Sequence, residues 1–462
     1  MKQRKENDLG RDNVLQLVLK LAIPSMIAQF VNVAYGIVDR IYIGNIPEIG
    51  ALALAGVGVC GPIMTLISSF SSLVGLGGAP LMAMRMGEGN REEARRILSN
   101  CLVMLFSLAL FMMILCFIFK DSMLMTFGAS TDTFPYANEY MTVYLCGTIF
   151  AIVGAGLNQF IICQGFSDIS MTTVLLSALL NIILDPICIF TLDMGVTGAA
   201  LATVISQAAS CAFVFWFLLG KRVTVKLSLG GYSARIMRRV LTFGLSPFLI
   251  VATDSVVLIA LNSALQRYGG ASQGDLLVTC ATIVQSYMQI ITMPMAGITG
   301  GTQPILSFNY GAKQIQRIRQ GERYILMLCV IFTVIMFAFS QTIPQIFVRI
   351  FTQESQLIQI SAWGIRTSTL AIIPLAFQYT FVDGLTALGI ARVAVSLSLF
   401  RKGLLIALTL LLPMFMGATA AFYAEPVADA ISCLTATTTF LLLFNRIMLR
   451  RSAMKDGEQL YS

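Results

Sequence analysis

Long apolar blocks alternate with short polar connections along almost the whole chain, and each block is close to the ~20 residues that cross a ~30 Å hydrocarbon core. Whole windows lack the polar face of helical period that a soluble bundle would carry. The pattern predicts twelve spans, near residues 15–43, 51–84, 97–119, 136–163, 170–191, 195–219, 240–266, 276–300, 323–346, 361–388, 391–415 and 419–448. The predicted fold class is an all-α polytopic membrane protein. The stretch Met1–Asp12 reads as a basic leader to a first span that is too long for a signal peptide's apolar region.

Basic residues mark alternate connections. Lys2, Arg4, Lys5 and Arg11 precede the first span, and Arg85, Arg91, Arg95 and Arg96 follow the second. Lys221, Arg222, Lys226, Arg235, Arg238 and Arg239 lie between spans six and seven. Lys313, Arg317, Arg319 and Arg323 follow span eight, and Arg450, Arg451 and Lys455 follow span twelve. The connections between them, such as Asp121–Pro135 and Thr352–Ser361, are poor in basic residues. The positive-inside rule then places both termini in the cytoplasm, in a multi-pass protein of the cell membrane.

Composition agrees: 57% of the 462 residues are hydrophobic and 12% charged, with a mean hydropathy of +0.81. A soluble domain carries about a quarter charged residues. The net charge of +8 sits in the connections between spans and gives no nucleic-acid-binding surface. Histidine is absent, which removes haem ligation, most zinc and copper sites, and Ser-His or Cys-His nucleophiles. The ten cysteines are scattered singly without a CxxC pair and read as small apolar residues. No cofactor is expected.

The chain also repeats itself. Gly77–Asn90 (G-G-A-P-L-M-A-M-R-M-G-E-G-N) lines up with Gly301–Gln314 (G-T-Q-P-I-L-S-F-N-Y-G-A-K-Q). Pro80 maps to Pro304 and Gly87 to Gly311, both at an offset of 224, and Pro24 maps to Pro247 at 223. Two halves of six spans each run in the same sense about an axis along the membrane normal. The expected organisation is an N-lobe at 1–220, a basic linker at 221–239, and a C-lobe at 240–462 with a basic tail. Two lobes around a cavity is the architecture of a transporter.

Within the spans, Asn181 and Asp185 lie four positions apart on one helical face, and Pro186 frees the carbonyl of Ile182. An ionisable group inside a span is costly and points to function. Asp39 sits about four residues before the Gly44–Asn45 turn, Asp185 about seven short of the end of span five, and Thr203 about eight past the start of span six. At 1.5 Å per residue these share one depth in the outer part of the membrane, with Tyr35 one turn below Asp39. Two carboxylates, an amide and a hydroxyl make a hard-oxygen site for Na⁺. Without a metal, one of two close carboxylates would hold a proton. Asp39 beside Arg40 also reads as an interfacial ion pair, and Asn181 alone as an interhelical hydrogen bond.

These residues carry a resemblance. Pro24–Asp39 (P-S-M-I-A-Q-F-V-N-V-A-Y-G-I-V-D), Asn181–Pro186 (N-I-I-L-D-P), the Gly/Pro-rich ends of spans two and eight, and the twelve-span plan resemble the multidrug and toxic compound extrusion (MATE) transporters over essentially the whole length. The resemblance implies two pseudo-symmetric six-helix lobes, alternating access, and export of amphipathic organic cations in exchange for Na⁺ or H⁺. It matches Asp39, Asn181, Asp185 and Thr203 to the family's N-lobe cation site, the metal site if Na⁺ is the coupling ion. It matches Pro24 to the proline where span one bends. A monomer in the bilayer is expected.

The second half departs from the first. Asn262 replaces the acid at the position equivalent to Asp39, while Asp254 lies deeper in span seven and Asp383 near the cytoplasmic end of span ten. Tyr35, Asp254 and Asp383 are candidates for the substrate cavity. Arg401 and Lys402 fall inside span eleven; Arg401 is expected to pair with Asp254, and Lys402 to pair or to snorkel toward the inner surface. The 30 Phe and 24 Met suit a soft cavity, though most must face lipid or pack helices. A flippase for lipid-linked saccharides shares the two-lobe plan, but would line its cavity with several arginines. A membrane enzyme would need an Asp or Cys nucleophile, and no such motif is present.

Overall fold

The computed structural model describes residues 8–127, 129, 131–351 and 353–453. Lys2, Arg4, Lys5, Thr352 and Lys455 lie outside the described residues. Twelve helical segments among the described residues are long and apolar enough to cross a membrane. They are α1 (Val14–Gly44), α2 (Leu52–Gly87), α3 (Arg91–Thr126), α4 (Phe134–Cys163), α5 (Ser167–Thr191) and α6 (Gly195–Leu219) in the first half. The second half holds α7 (Ala234–Gly269), α8 (Leu276–Gly311), α9 (Ile315–Thr342), α10 (Ser355–Ala387), α11 (Ala391–Met416) and α12 (Ala418–Leu449). Helical backbone continues from α7 into α8, giving 78 residues from Ala234 to Gly311. At 1.5 Å per residue that is several bilayer thicknesses, so apolar length divides it into two spans.

Several helices outrun the apolar blocks that announce them. Span nine begins at Ile315 rather than near 323, and span three at Arg91 rather than near 97. Charged residues therefore ride on the first turns of helices where hydropathy alone sees a loop. The linker is likewise shorter, because Arg235, Arg238 and Arg239 belong to the opening turns of α7. What remains of it is held down: Asn100 donates to the Gly231 carbonyl (3.1 Å) and accepts from the Ser233 amide (2.8 Å). The Val225 amide donates to Gln164 Oε1 (2.8 Å).

The chain forms two compact units. One holds the chain up to Ala22, residues 83–90 and Val256 onward; the other holds Ile23–Met82 and Arg91–Ser255. The division falls inside α1 one residue before Pro24, and inside α2 two residues after Pro80. In the second unit, α2 and α7 approach so closely that a Cβ on Gly244 would overlap the Leu73 carbonyl. In the first, Leu277, Val284, Tyr287 and Ile291 of α8 pack with Ile365 and Ile372 of α10 and with Phe422. All ten cysteines are free thiols, and eight are buried.

Candidate functional site

α5 brings the polar constellation together. Asn181 and Asp185 are 2% and 0% exposed, and Asn181 Nδ2 donates to Asp185 Oδ1 at 3.0 Å, one helical turn away. The same amide nitrogen lies 3.3 Å from Thr203 Oγ1, which fixes α6 against α5 at this depth. The α-helix ends at Pro186, and residues Ile187–Thr191 follow as a wider π-turn closed by the Leu192 amide on the Ile187 carbonyl (2.8 Å). Proline has no N–H to continue the regular ladder, so the backbone widens where the acid sits.

Asp39 reaches the group from α1, half-buried, with its carboxyl beside that of Asp185. Arg40 is exposed, next in sequence to Asp39. Three oxygens in this cluster are buried without a hydrogen-bond partner: Asp39 Oδ1, Asp185 Oδ2 and Asn181 Oδ1. Buried acceptors left unpaired are costly, and a cation or a proton is what would satisfy them. Two carboxylates, an amide oxygen and a hydroxyl fit a hard monovalent cation.

Sequence reading missed the aromatic wall from α4. Tyr140 (1% exposed) lies beside Thr203 and Asp39, and Tyr144 (4% exposed) lies beside Gln207. The two rings stack at 6.3 Å, and Tyr35 lies beside Tyr144 and both acids. Their spacing of four positions on one helix was visible; nothing in it separated them from ordinary core aromatics.

The other candidates lie elsewhere. Asp254 is exposed on α7 and is not among the groups around Asp39 and Asp185. Arg401 does not pair with Asp254: its Nε donates to Asp429 Oδ1 on α12 at 2.8 Å, with the guanidinium 5.9 Å from the Tyr379 ring centre. Lys402 does not snorkel outward; it is 9% exposed and acts on Asp429 and Glu425. Helix α12 supplies both acids one turn apart, within electrostatic reach of the two buried cations. Asp383 sits on α10 beside Glu322 of α9, a residue that sequence reading left in a loop.

The MatE family profile matches residues 24–187 and 248–412, one stretch in each half. Multidrug export protein MepA of Staphylococcus aureus (strain MSSA476) is 24% identical over 446 residues, covering 96% of this chain and 97% of its own. A crystal structure of MATE in the straight conformation is 22% identical with a TM-score of 0.89, covering 96% of this chain and 99% of that one. Another, in the bent conformation, is 21% identical with a TM-score of 0.87, covering 96% and 100%.

Proposed function

Because this chain belongs to the MatE family, a family of multidrug transporters rather than enzymes, we propose that it exports amphipathic organic cations in exchange for Na⁺ or H⁺. The relative named as a multidrug export protein covers nearly the whole chain and supports the substrate class. One observation carries the coupling: the three unpartnered oxygens of Asp39, Asp185 and Asn181, gathered on α1 and α5. Thr203 would complete the oxygen set, and Tyr35, Tyr140 and Tyr144 lie around it.

The ion is a lever only if it binds two arrangements unequally. Helix α1 is suited to be the moving element. It contains Pro24, which cannot donate to the Lys20 carbonyl, and it carries Asp39 fifteen residues further on (39 − 24). It also changes compact unit next to that proline. The existence of straight and bent forms among proteins of this fold supports the same reading. In the cell membrane, with both termini cytoplasmic and the protein monomeric, occupancy at Asp39 would set the bend and reshape the drug-facing side.

The experiment is efflux of a fluorescent lipophilic cation from proteoliposomes under an imposed Na⁺ or H⁺ gradient, each applied alone. Export driven by one gradient identifies the coupling ion. No gradient-driven export of the cation, together with movement of a lipid-linked saccharide, would establish the flippase instead. The pairing of Arg401 with Asp429 argues against that alternative, since the guanidinium is already occupied.

A further inference from the structure

A second group of buried acids lies in the other compact unit. Glu322 stands seven residues into α9 (322 − 315), about 10 Å from its start. It is 6% exposed, and its Oε1 has no hydrogen-bond partner. The carboxylate presses on the backbone of α10: a Cβ on Gly384 would lie 2.6 Å from Oε1 and 2.9 Å from Oε2. A side chain at 384 would make the carboxylate shift.

Asp383 is the preceding residue on α10 and interacts electrostatically with Glu322. Thr299 and Gln303, one turn apart on α8, lie beside Asp383, and Thr299 Oγ1 also faces the Met295 and Ala296 carbonyls at 3.4 Å. No lysine or arginine acts on either carboxylate among the described residues. Arg317, earlier on α9, is engaged by Asn309 Oδ1 and the Leu9 carbonyl, each at 2.9 Å. Two acids buried together without a base are strongly disfavoured unless a cation joins them or they share a proton.

We propose that Glu322 and Asp383, with the side-chain oxygens of Thr299 and Gln303, form a Na⁺ site that ties together α8, α9 and α10. The donors are all hard oxygens, drawn from three neighbouring helices. A divalent ion is the poorer fit, because no group of three acidic, cysteine or histidine ligands gathers among the described residues. The site is distinct in residues from the Asp39 and Asp185 cluster and does not depend on that cluster's role in coupling. It takes Asp383 out of the substrate cavity and gives it an ion instead.

The test is ²²Na⁺ binding to the purified full-length protein, in a background that removes the first cluster. Asp185→Asn is expected to keep one saturable Na⁺ site, and Na⁺ is expected to raise its Tm where K⁺ at equal concentration does not. Adding Glu322→Gln or Asp383→Asn should abolish both effects. Should either carboxylate variant not fold, Asp185→Asn with Thr299→Ala removes only a neutral oxygen and should weaken Na⁺ about tenfold. The inference is overturned if Asp185→Asn binds no Na⁺, or if the added substitutions leave its binding unchanged. Gradient-driven export, measured separately, reports on the first cluster alone, so the two readings fail independently.

Discussion

Asp185 is fully buried, lies beside Asp39, and has one carboxylate oxygen without a hydrogen-bond partner. Asp185→Asn keeps the shape and removes the negative charge, so coupled export should fall to background while expression and elution profile stay normal. Asp39→Asn should do the same, and the double variant should be little worse than either, because residues of one unit are not additive. Additive losses in the transport assay would mean two separate sites. Arg401→Ala leaves the buried Asp429 with only Lys402 as a nearby cation, and should cost about 3–5 kcal/mol in unfolding measurements. Asp429→Ala added to it should recover part of that loss. Asp185, deep in an apolar block, was legible in the sequence because little else explains an acid there. Asp39, which alone also reads as an ion pair with Arg40, was legible through the depth it shares with Asp185. Glu322 was not, since it sits between Arg319 and Arg323 and looks like part of a basic loop. Only the early start of α9 places it on a helix, where it packs against α10.

Helices, rather than residues, decide what the ion can move. α1 remains helical through Pro24 although one backbone bond is missing there, which lowers the resistance to bending at that turn. Pro24→Ala restores the donor to the Lys20 carbonyl and should stiffen the helix. Cation binding at Asp39 and Asp185 should persist, while drug export slows. Binding and transport measured on the same purified variant check this; wild-type export, or loss of both together, would exclude the hinge. The number and order of these helices followed from apolar block length, but their ends did not. Hydropathy reports which turns are in lipid, whereas a helix continues until capping or a turn stops it, so α3 and α9 carry charged first turns beyond their apolar blocks.

At the scale of the whole chain, the internal repeat has a direct structural counterpart. Gly87 ends α2 against the Phe308 carbonyl, and Gly311 ends α8 against the Met84 carbonyl; a Cβ on either glycine would overlap that oxygen. The two contacts are one contact written twice, because the offset of 224 that maps Gly87 to Gly311 also maps Met84 to Phe308. Residues 83–90 accordingly belong to the same compact unit as α8, although sequence order assigns them to the first half. The repeat was legible from Pro80, Gly87, Pro304 and Gly311; that the two segments cross each other was not, because alignment shows equivalence and says nothing of contact. A pseudo-two-fold crossing makes a specific prediction. Gly87→Ala and Gly311→Ala should destabilise by similar amounts, about 1–3 kcal/mol each, since each pushes the same pair of helices apart. The double substitution should cost clearly less than the sum, because the first separation already makes room for the second methyl. Thermal unfolding of the three purified variants decides it. Strictly additive shifts, or a large loss from one glycine and none from the other, would show that the two ends pack independently and that the repeat is not matched by a shared crossing.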